Sequence, residues 1–156
     1  MADVVVVGDG PGGLSAALFL AKNGLDVVVV GDDKTAMHWA LLKNYLGVPE
    51  MLGSDFQKLC REQVAGHGAK LENARVQDID KKGAGFEVSL AGGAKLAAKY
   101  VVLSEGKMPR LAKKLGLDFD ETTGIATDRN ARSPIDGVYV VGRSARPGRS
   151  QAIISA

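Results

Sequence analysis

The chain has 156 residues, enough for one domain with its own hydrophobic core. Apolar residues make up 46% and charged residues 24%, and the net charge of +2 favours neither a nucleic-acid nor a membrane partner. The sequence shows no apolar run of membrane-spanning length and no signal peptide before the first strand. The single cysteine, Cys60, excludes an internal disulfide or a CxxC redox pair, so a cytoplasmic location is expected.

The N-terminal segment has the order strand, glycine turn, helix, strand. The β-branched run Val4–Val7 predicts a buried parallel strand, and a second run, Val27–Val30, predicts its neighbour. Between them, the small and apolar residues 14–21 predict a helix that packs on the sheet and ends at Asn23-Gly24. This order is that of a βαβ unit.

The turn after the first strand predicts a pyrophosphate site. It consists of Gly8, Asp9, Gly10, Pro11, Gly12 and Gly13. Glycines let the backbone approach a ligand closely, and the start of the next helix presents unpaired N–H groups and the positive end of its dipole. The alternative is a βαβ unit whose glycine turn binds nothing. Asp32 follows the second strand, about 20 residues after the motif, where dinucleotide folds bind the adenosine ribose; it could also be a simple turn residue.

The irregular segment 34–53 is long for a connection and is expected to have a function. Trp39 and Tyr45 could cover a flat ring, or fill the core. His38 has no partner at a metal-ligand spacing, so no metal site is predicted.

A helix is predicted from Ser54 to about Ala65. Ser54 as N-cap and Gln57 three residues later form a predicted capping box. The apolar positions on one face are Phe56, Leu59, Cys60 and Val64. Cys60 is therefore expected to pack rather than to act as a nucleophile.

The rest of the chain is predicted to be mostly extended. Segments near 74–80, 85–90 and 94–98 indicate an antiparallel meander inserted in the domain. Tyr100–Leu103 predicts a buried strand, which ends at a second glycine turn containing Gly106. Later predicted elements are a short basic helix within 109–117, strands at 125–127 and 137–141, and a helix from Arg149 that is expected to continue past Ala156. The arginines of this C-terminal part indicate either a solvated loop or an anion site.

Together these patterns predict an α/β fold, with a Rossmann-like parallel sheet, helices on its faces and an antiparallel β-meander, in a single domain over residues 1–156.

The motifs resemble the FAD-binding domain of thioredoxin-reductase-like flavoproteins, which have two dinucleotide-binding folds. The resemblance covers nearly the whole chain and rests on the glycine turn, Asn44–Gly47, the strand ending at Gly142, and Gln151–Ile153. It implies FAD as cofactor, with the pyrophosphate at the glycine turn and the flavin ring near Gln151-Ala152. The implied site residues are Gly8, Asp9, Gly10, Pro11, Gly12, Gly13, Asp32, Asn44, Gly106, Gly142, Arg143, Gln151 and Ala152.

Several positions depart from the family pattern. Only residues 104–124 stand where the family inserts its NADPH-binding domain. Gly31 replaces a glutamate, Arg143 replaces the acid of a Gly-Asp pair, and Ser104-Glu105-Gly106 replaces Ala-Thr-Gly. Asp9 adds a negative charge to the phosphate turn, and Arg143 is expected either to pair with it or to meet the phosphate.

The predicted function is that of a single-domain, FAD-binding oxidoreductase or electron-transfer protein, reduced by a separate reductase or by free reduced nicotinamide. The alternative is a non-catalytic nucleotide-binding or interaction module that has lost flavin. The expected ligand is FAD or another ADP-containing nucleotide, and a homodimer or a partner protein is plausible where the second domain is missing.

Overall fold

A computed structural model describes residues 1–149 and 151–155. The N-terminal unit is β1 (Ala2–Val7), α1 (Pro11–Lys22) and β2 (Val27–Gly31). The two strands are parallel, with Val4 opposite Val27. Asn23 caps the end of α1 and Gly24 follows with φ +85°, which confirms the predicted helix end.

The main sheet contains seven strands and confirms the predicted fold class. Besides β1 and β2 it includes β5 (Lys70–Asn73), β6 (Val76–Lys82), β7 (Gly85–Leu90), β8 (Lys95–Leu103) and β11 (Val138–Val140). Its order is β5-β2-β1-β8-β7-β6, and β11 also pairs with β8. The β1–β2, β1–β8, β2–β5 and β8–β11 pairings are parallel, whereas β6–β7 and β7–β8 are antiparallel.

Both faces of the parallel part are buried. Val5 and Val7 belong to one hydrophobic cluster, together with the meander and the short helix that follows it. Val4 and Val6 belong to a second cluster with α1 and Val64. Because successive side chains of a strand point to opposite faces, a run of valines is what a sheet covered on both sides requires.

The predicted division between the meander and the next buried strand is wrong, because β8 is one continuous strand. Its first half pairs with β7 and its second half with β11, while β1 runs along its other edge. Lys99 interrupts the apolar pattern at mid-strand, but its ammonium reaches the Asp3 carboxylate at 2.7 Å. The meander therefore extends the main sheet.

Helix α2 (Gly53–Gly66) begins one residue before the predicted capping box. Leu52 is the N-cap, and no side chain caps this end. Gly53 lies too close to the Met37 carbonyl for any side chain, and its N–H donates to Ala40 O at 2.8 Å. This tertiary contact sets the start of the helix and leaves Ser54 inside its first turn, so the capping-box prediction is wrong.

The apolar face of α2 is narrower than predicted. Phe56 and Val64 are buried and Cys60 is half-buried, but Leu59 is 50% exposed. The helix ends one residue after the predicted Ala65, with His67 as C-cap and Gly68 at φ +95°.

The segment between β2 and α2 forms a small module. A 3-10 turn (Ala36–Trp39) precedes a hairpin of β3 (Leu41–Leu42) and β4 (Met51–Leu52). Tyr45 packs against Phe56 with ring centroids 5.1 Å apart, whereas Trp39 is 92% exposed. Tyr45 thus joins the core, and the core-filling alternative is wrong for Trp39.

The remaining elements follow β8. They are α3 (Arg110–Lys114), the hairpin β9 (Phe119–Asp120) and β10 (Gly124–Ile125), a 3-10 turn (Gly142–Ser144) and α4 (Ala152–Ser155). The predicted continuation of the last helix past Ala156 lies outside the described residues. Among the helices the structure describes, none has the length and apolar character needed to cross a bilayer.

Candidate functional site

A cleft of about 300 Å³ lies at the carboxyl edge of the parallel strands. This edge is where open α/β sheets bind their ligands. The cleft brings together most of the residues predicted for cofactor binding: Gly8, Asp9, Gly10, Pro11, Gly12, Asp32, Gly106, Gly142, Arg143 and Ala152. Binding by these residues stays a prediction, but their convergence on one cleft is a structural fact.

The other three predicted residues do not line the cleft. Gly13 is buried, and a side chain there would overlap the Gly8 carbonyl oxygen, so this glycine lets α1 pack closely on β1. Asn44 and Gln151 are exposed. Asn44 lies in the loop between β3 and β4, and Gln151 lies directly before α4.

The glycine turn is shaped for close approach of a ligand. Gly8 has φ +99°, and a side chain there would overlap the Ser104 carbonyl oxygen. Gly10 is the N-cap of α1 without a side-chain cap, and Pro11 is at the first helical position. The Leu14 N–H makes the first bond of the helix, to Gly10 O at 2.9 Å. The N–H groups of the first turn therefore have no partner within the helix, and they suit an anion.

Asp9 does not pair with Arg143, which was one of the two expectations for these residues. Its carboxylate, 7% exposed, forms an ion pair with Arg61 of α2 and accepts the Asp33 N–H at 3.1 Å. Burial raises the pKa of Asp9, and the positive charge of Arg61 opposes that rise. The negative charge of Asp9 is therefore balanced from the helix behind the turn.

Gln57 of α2 forms hydrogen bonds to the glycine turn and to Asp33, which follows β2. Its Nε2 donates to the Asp9 carbonyl at 2.6 Å and to Asp33 Oδ1 at 3.2 Å. Its buried Oε1 has no hydrogen-bond partner in the part of the chain that the structure describes. The sequence did not predict that Gln57 and Arg61 contact the glycine turn, although their i, i+4 spacing on α2 places them on one helix face.

Asp32 lines the cleft from the end of β2. Its Oδ2 accepts Arg75 Nε at 2.8 Å, and Lys34 Nζ lies 3.8 Å away. The hydrogen bond from Arg75 is the main reason that the pKa of Asp32 is lowered, so this carboxylate is ionised at neutral pH.

Arg143 contributes a guanidinium to the cleft. It lies on the 3-10 turn after β11, and in residues 1–149 and 151–155 it has neither an ion pair nor a hydrogen bond. Its Nη2 would be 3.9 Å from a Cβ at Gly106, so the guanidinium lies beside the second glycine turn. Buried Ser144 donates to Gly106 O at 2.9 Å and joins the two turns.

Glu105 also lines the cleft, but it has a structural partner. Its two carboxylate oxygens accept the N–H groups of Leu111 and Ala112 at 2.8 and 2.9 Å, which caps the start of α3. Burial raises the pKa of Glu105 despite these bonds. Other lining residues that sequence reasoning missed are Lys34, Thr35, Ala36, Met37 and Ala40, which reach the cleft only through the fold of the hairpin module.

A second cavity of about 350 Å³ adjoins the first around Gly12 and Gly142. It is lined by Phe19 of α1 and by part of the arginine-rich segment, including Arg129 and Arg146. The glycine turn opens on the first cavity, which is therefore the better candidate for a phosphate.

Thiol and metal chemistry have little support. Burial raises the pKa of the Cys60 thiol to about 11, in keeping with a packing role. His38 Nε2 lies 2.7 Å from the Asp33 carbonyl oxygen, which occupies that ring nitrogen. Among the described side chains, no three His, Cys, Asp or Glu residues are grouped to hold a metal ion.

Known proteins match both the sequence and the fold. The sequence profile of the pyridine nucleotide-disulphide oxidoreductases matches residues 2–50 and 42–155. Thioredoxin reductase of Helicobacter pylori is 32% identical over 117 residues, covering 70% of this chain and 37% of that protein. Ferredoxin–NADP reductase of Lactococcus lactis is 31% identical over 128 residues, covering 77% of this chain and 40% of that protein.

Solved structures share the fold at low sequence identity. A thioredoxin reductase from Gloeobacter violaceus superposes with a TM-score of 0.86 at 17% identity, covering 99% of this chain and 90% of that one. Thioredoxin reductase from T. acidophilum gives 0.82 at 18% identity, covering 99% and 93%. The chain spans well under half the length of the curated relatives it matches. It belongs to the pyridine nucleotide-disulphide oxidoreductase family, and within that family it resembles the FAD-binding domain of the thioredoxin-reductase-like proteins.

Proposed function

We propose that this chain is an FAD-binding, single-domain oxidoreductase or electron-transfer protein that is reduced by a separate donor. The observation that carries the proposal is one cleft with three features: the glycines of the turn, the unpaired N–H groups at the start of α1, and Arg143, which has no partner among the described residues. Each of them favours a pyrophosphate.

The residues present fit the ligand. Gly10 and Gly12 would place the α1 N-terminus against the pyrophosphate, and Arg143, beside the second glycine turn, would add a charge-assisted hydrogen bond. An acidic side chain beside the end of β2 would accept a ribose hydroxyl, and both Asp32 and Asp9 line the cleft there. Ala152, which lines the cleft at the start of α4, would contact the flavin ring. Gln151 directly precedes it but does not line the cleft.

When bound, flavin would supply the redox chemistry, and the protein would bind and orient it. Arg143 would hold positive charge next to the phosphates, and Asp9 would keep its charge balanced by Arg61 behind the turn. Among the described residues we assign no proton donor for catalysis.

A separate donor is proposed because of the short connection between β8 and β10. Glu105 caps α3, and Arg110 donates to the carbonyls of Val76 and Gln77 at 2.8 and 3.2 Å, so this connection is tied to the sheet. The sequence holds a single cysteine, so this chain has no dithiol of its own to pass electrons through. A partner reductase, a second copy of the chain or free reduced nicotinamide would supply electrons, and the cytoplasm is the proposed location.

The proposal is tested by titrating purified protein with FAD and following the quenching of flavin fluorescence. Arg143→Asp should weaken binding at least about tenfold, because a charge-assisted hydrogen bond is lost and a repulsive charge is added. Arg146→Asp is the matched control, since Arg146 is an exposed arginine of the same segment that lines the second cavity rather than the first. No saturable binding at micromolar FAD would refute the proposal.

A second candidate is a nucleotide-binding or interaction module without flavin. The observation that favours it is Arg143 itself, which stands where the resembling family has an acid. Calorimetric titration with FAD, ADP, NAD and coenzyme A separates the two functions. Equal affinity for FAD and ADP would favour the module, because the flavin half would then contribute no binding energy.

A further inference from the structure

Gly31, the last residue of β2, has no space for a side chain. A Cβ built on it would lie 2.7 Å from Asp9 Cβ and nearer still to the Asp9 carboxylate. The φ of Gly31 is not in the left-handed region, so its backbone does not require glycine. Asp9 and any side chain at position 31 therefore exclude each other, and the Asp9 carboxylate fills the place that a side chain at the end of β2 would take.

Asp9 is held there with one oxygen engaged. Its Oδ2 receives the Arg61 guanidinium and the Asp33 N–H, and its backbone carbonyl receives Gln57. Its Oδ1 accepts no hydrogen bond from any other residue that the structure describes, and Asp9 belongs to the lining of the cleft. A carboxylate fixed through one oxygen, with no other described residue bonded to the second, is suited to accept a hydrogen bond from a ligand hydroxyl.

Asp32 is less well prepared for this role. Its side chain is 29% exposed, against 7% for Asp9, and its partners Arg75 and Lys34 are themselves mostly exposed. Hydrogen bonds are stronger where water is excluded, and mobile surface partners orient a carboxylate poorly. Both aspartates line the cleft, but Asp9 is the more buried of the two and its ion-pair partner is also the less exposed.

We propose that Asp9, delivered from the glycine turn, is the acceptor for the ribose hydroxyls of the bound nucleotide, and that Gly31 is kept free of a side chain to admit it. In dinucleotide folds this acid comes from the end of the second strand. In this chain the same position beside β2 is reached from the turn after β1. The inference rests on the proposed nucleotide-binding function and identifies a specificity-determining residue within it.

The test compares ADP with 2′-deoxy-ADP and 3′-deoxy-ADP by calorimetric titration. Wild-type protein should prefer ADP over at least one deoxy analogue by about tenfold or more, the effect of one charge-assisted hydrogen bond. Asp9→Ala should bring that ratio close to one, and Asp32→Ala should leave it unchanged. The ratio is a comparison within one protein, so a general loss of affinity does not change it.

A second measurement tests the exclusion between the two positions without any ligand. Gly31→Ala should lower the stability of the wild-type protein but not of the Asp9→Gly variant, where the space is vacant. Gly31→Glu alone should lose the ADP preference, and the double variant Asp9→Gly/Gly31→Glu should regain it, because the carboxylate returns from the strand. Equal effects of Gly31→Ala in both backgrounds would overturn the inference.

The outcomes separate this inference from the function it rests on. Wild-type protein that binds no ADP would overturn both. ADP binding whose hydroxyl preference depends on Asp32, or on neither aspartate, would overturn the assignment to Asp9 alone.

Discussion

Replacing Arg61 by methionine should destabilise the protein far more than replacing Arg75, although each arginine forms an ion pair with one aspartate. The Arg61–Asp9 side chains are 20% and 7% exposed, whereas those of Arg75 and Asp32 are 69% and 29% exposed. Removing one partner of a buried pair leaves the other charge without compensation and costs about 3 kcal/mol. Removing one partner of an exposed pair costs about 0.5 kcal/mol.

Urea unfolding at pH 7 measures both variants. Methionine keeps an apolar stem of similar length, so most of the packing of the arginine methylene groups is retained at each site. The free energy of unfolding should fall by about 3 kcal/mol in Arg61→Met and by at most about 1 kcal/mol in Arg75→Met.

The pH dependence gives a second check. Burial already raises the pKa of Asp9, and Arg61 is what opposes that rise. Without Arg61 the pKa rises further, and a protonated Asp9 needs no cationic partner. The stability deficit of Arg61→Met should therefore be full at pH 7 and should shrink as the pH falls through the raised pKa. Equal deficits in the two variants, or a deficit that grows towards low pH, would refute the buried-pair reasoning.

Three further predictions concern other parts of the chain. Burial raises the pKa of Glu105 above its ordinary 4.5, so the folded state binds the carboxyl proton more tightly than the unfolded chain does. The stability of the wild type relative to Glu105→Gln should therefore fall as the pH rises from 4.5 through the raised pKa. Urea unfolding over a pH series measures this change. With a thiol pKa of about 11, against an ordinary 9.0, Cys60 should react with iodoacetamide at pH 8 about 100-fold more slowly in the folded protein than in urea, and similar rates would contradict its burial. Gly8→Ala should lower the free energy of unfolding by at least about 3 kcal/mol, because the left-handed φ adds strain to an overlap with the Ser104 carbonyl. Gly83→Ala is the control, because Gly83 has a positive φ but open space around it. It should cost only about 1 kcal/mol in the same thermal or urea unfolding assay.

Local patterns were sufficient for the N-terminal unit of β1, α1 and β2. The valine runs of β1 and β2 identify strands covered on both faces, and Asn23-Gly24 ends α1 as expected. The glycine turn predicts its place at the strand edge, because parallel strands end together. Each of these inferences depends on neighbours within a few residues, where propensity and periodicity are informative.

Predictions failed where distant contacts decide. The capping box at Ser54 and Gln57 is locally reasonable, but Gly53 must fit under the Met37 carbonyl, and the helix starts there. Gln57 is then directed to Asp9 instead of to its own helix end. A strand interrupted by Lys99 suggested two segments, but an ion pair with Asp3 accommodates the charge within a single strand.

The sequence by itself determined a βαβ unit with a glycine turn, the family to which the chain belongs and ten of the residues that line the cleft. Only the tertiary structure decided which charges at the turn are balanced. Asp9 forms an ion pair with Arg61, 52 positions away in the sequence, whereas Arg143 has no partner among the residues that the structure describes. It also decided that Asp9 and a side chain at Gly31 cannot coexist. Charge pairing and exclusion of volume act through space, so no local pattern in the sequence records them.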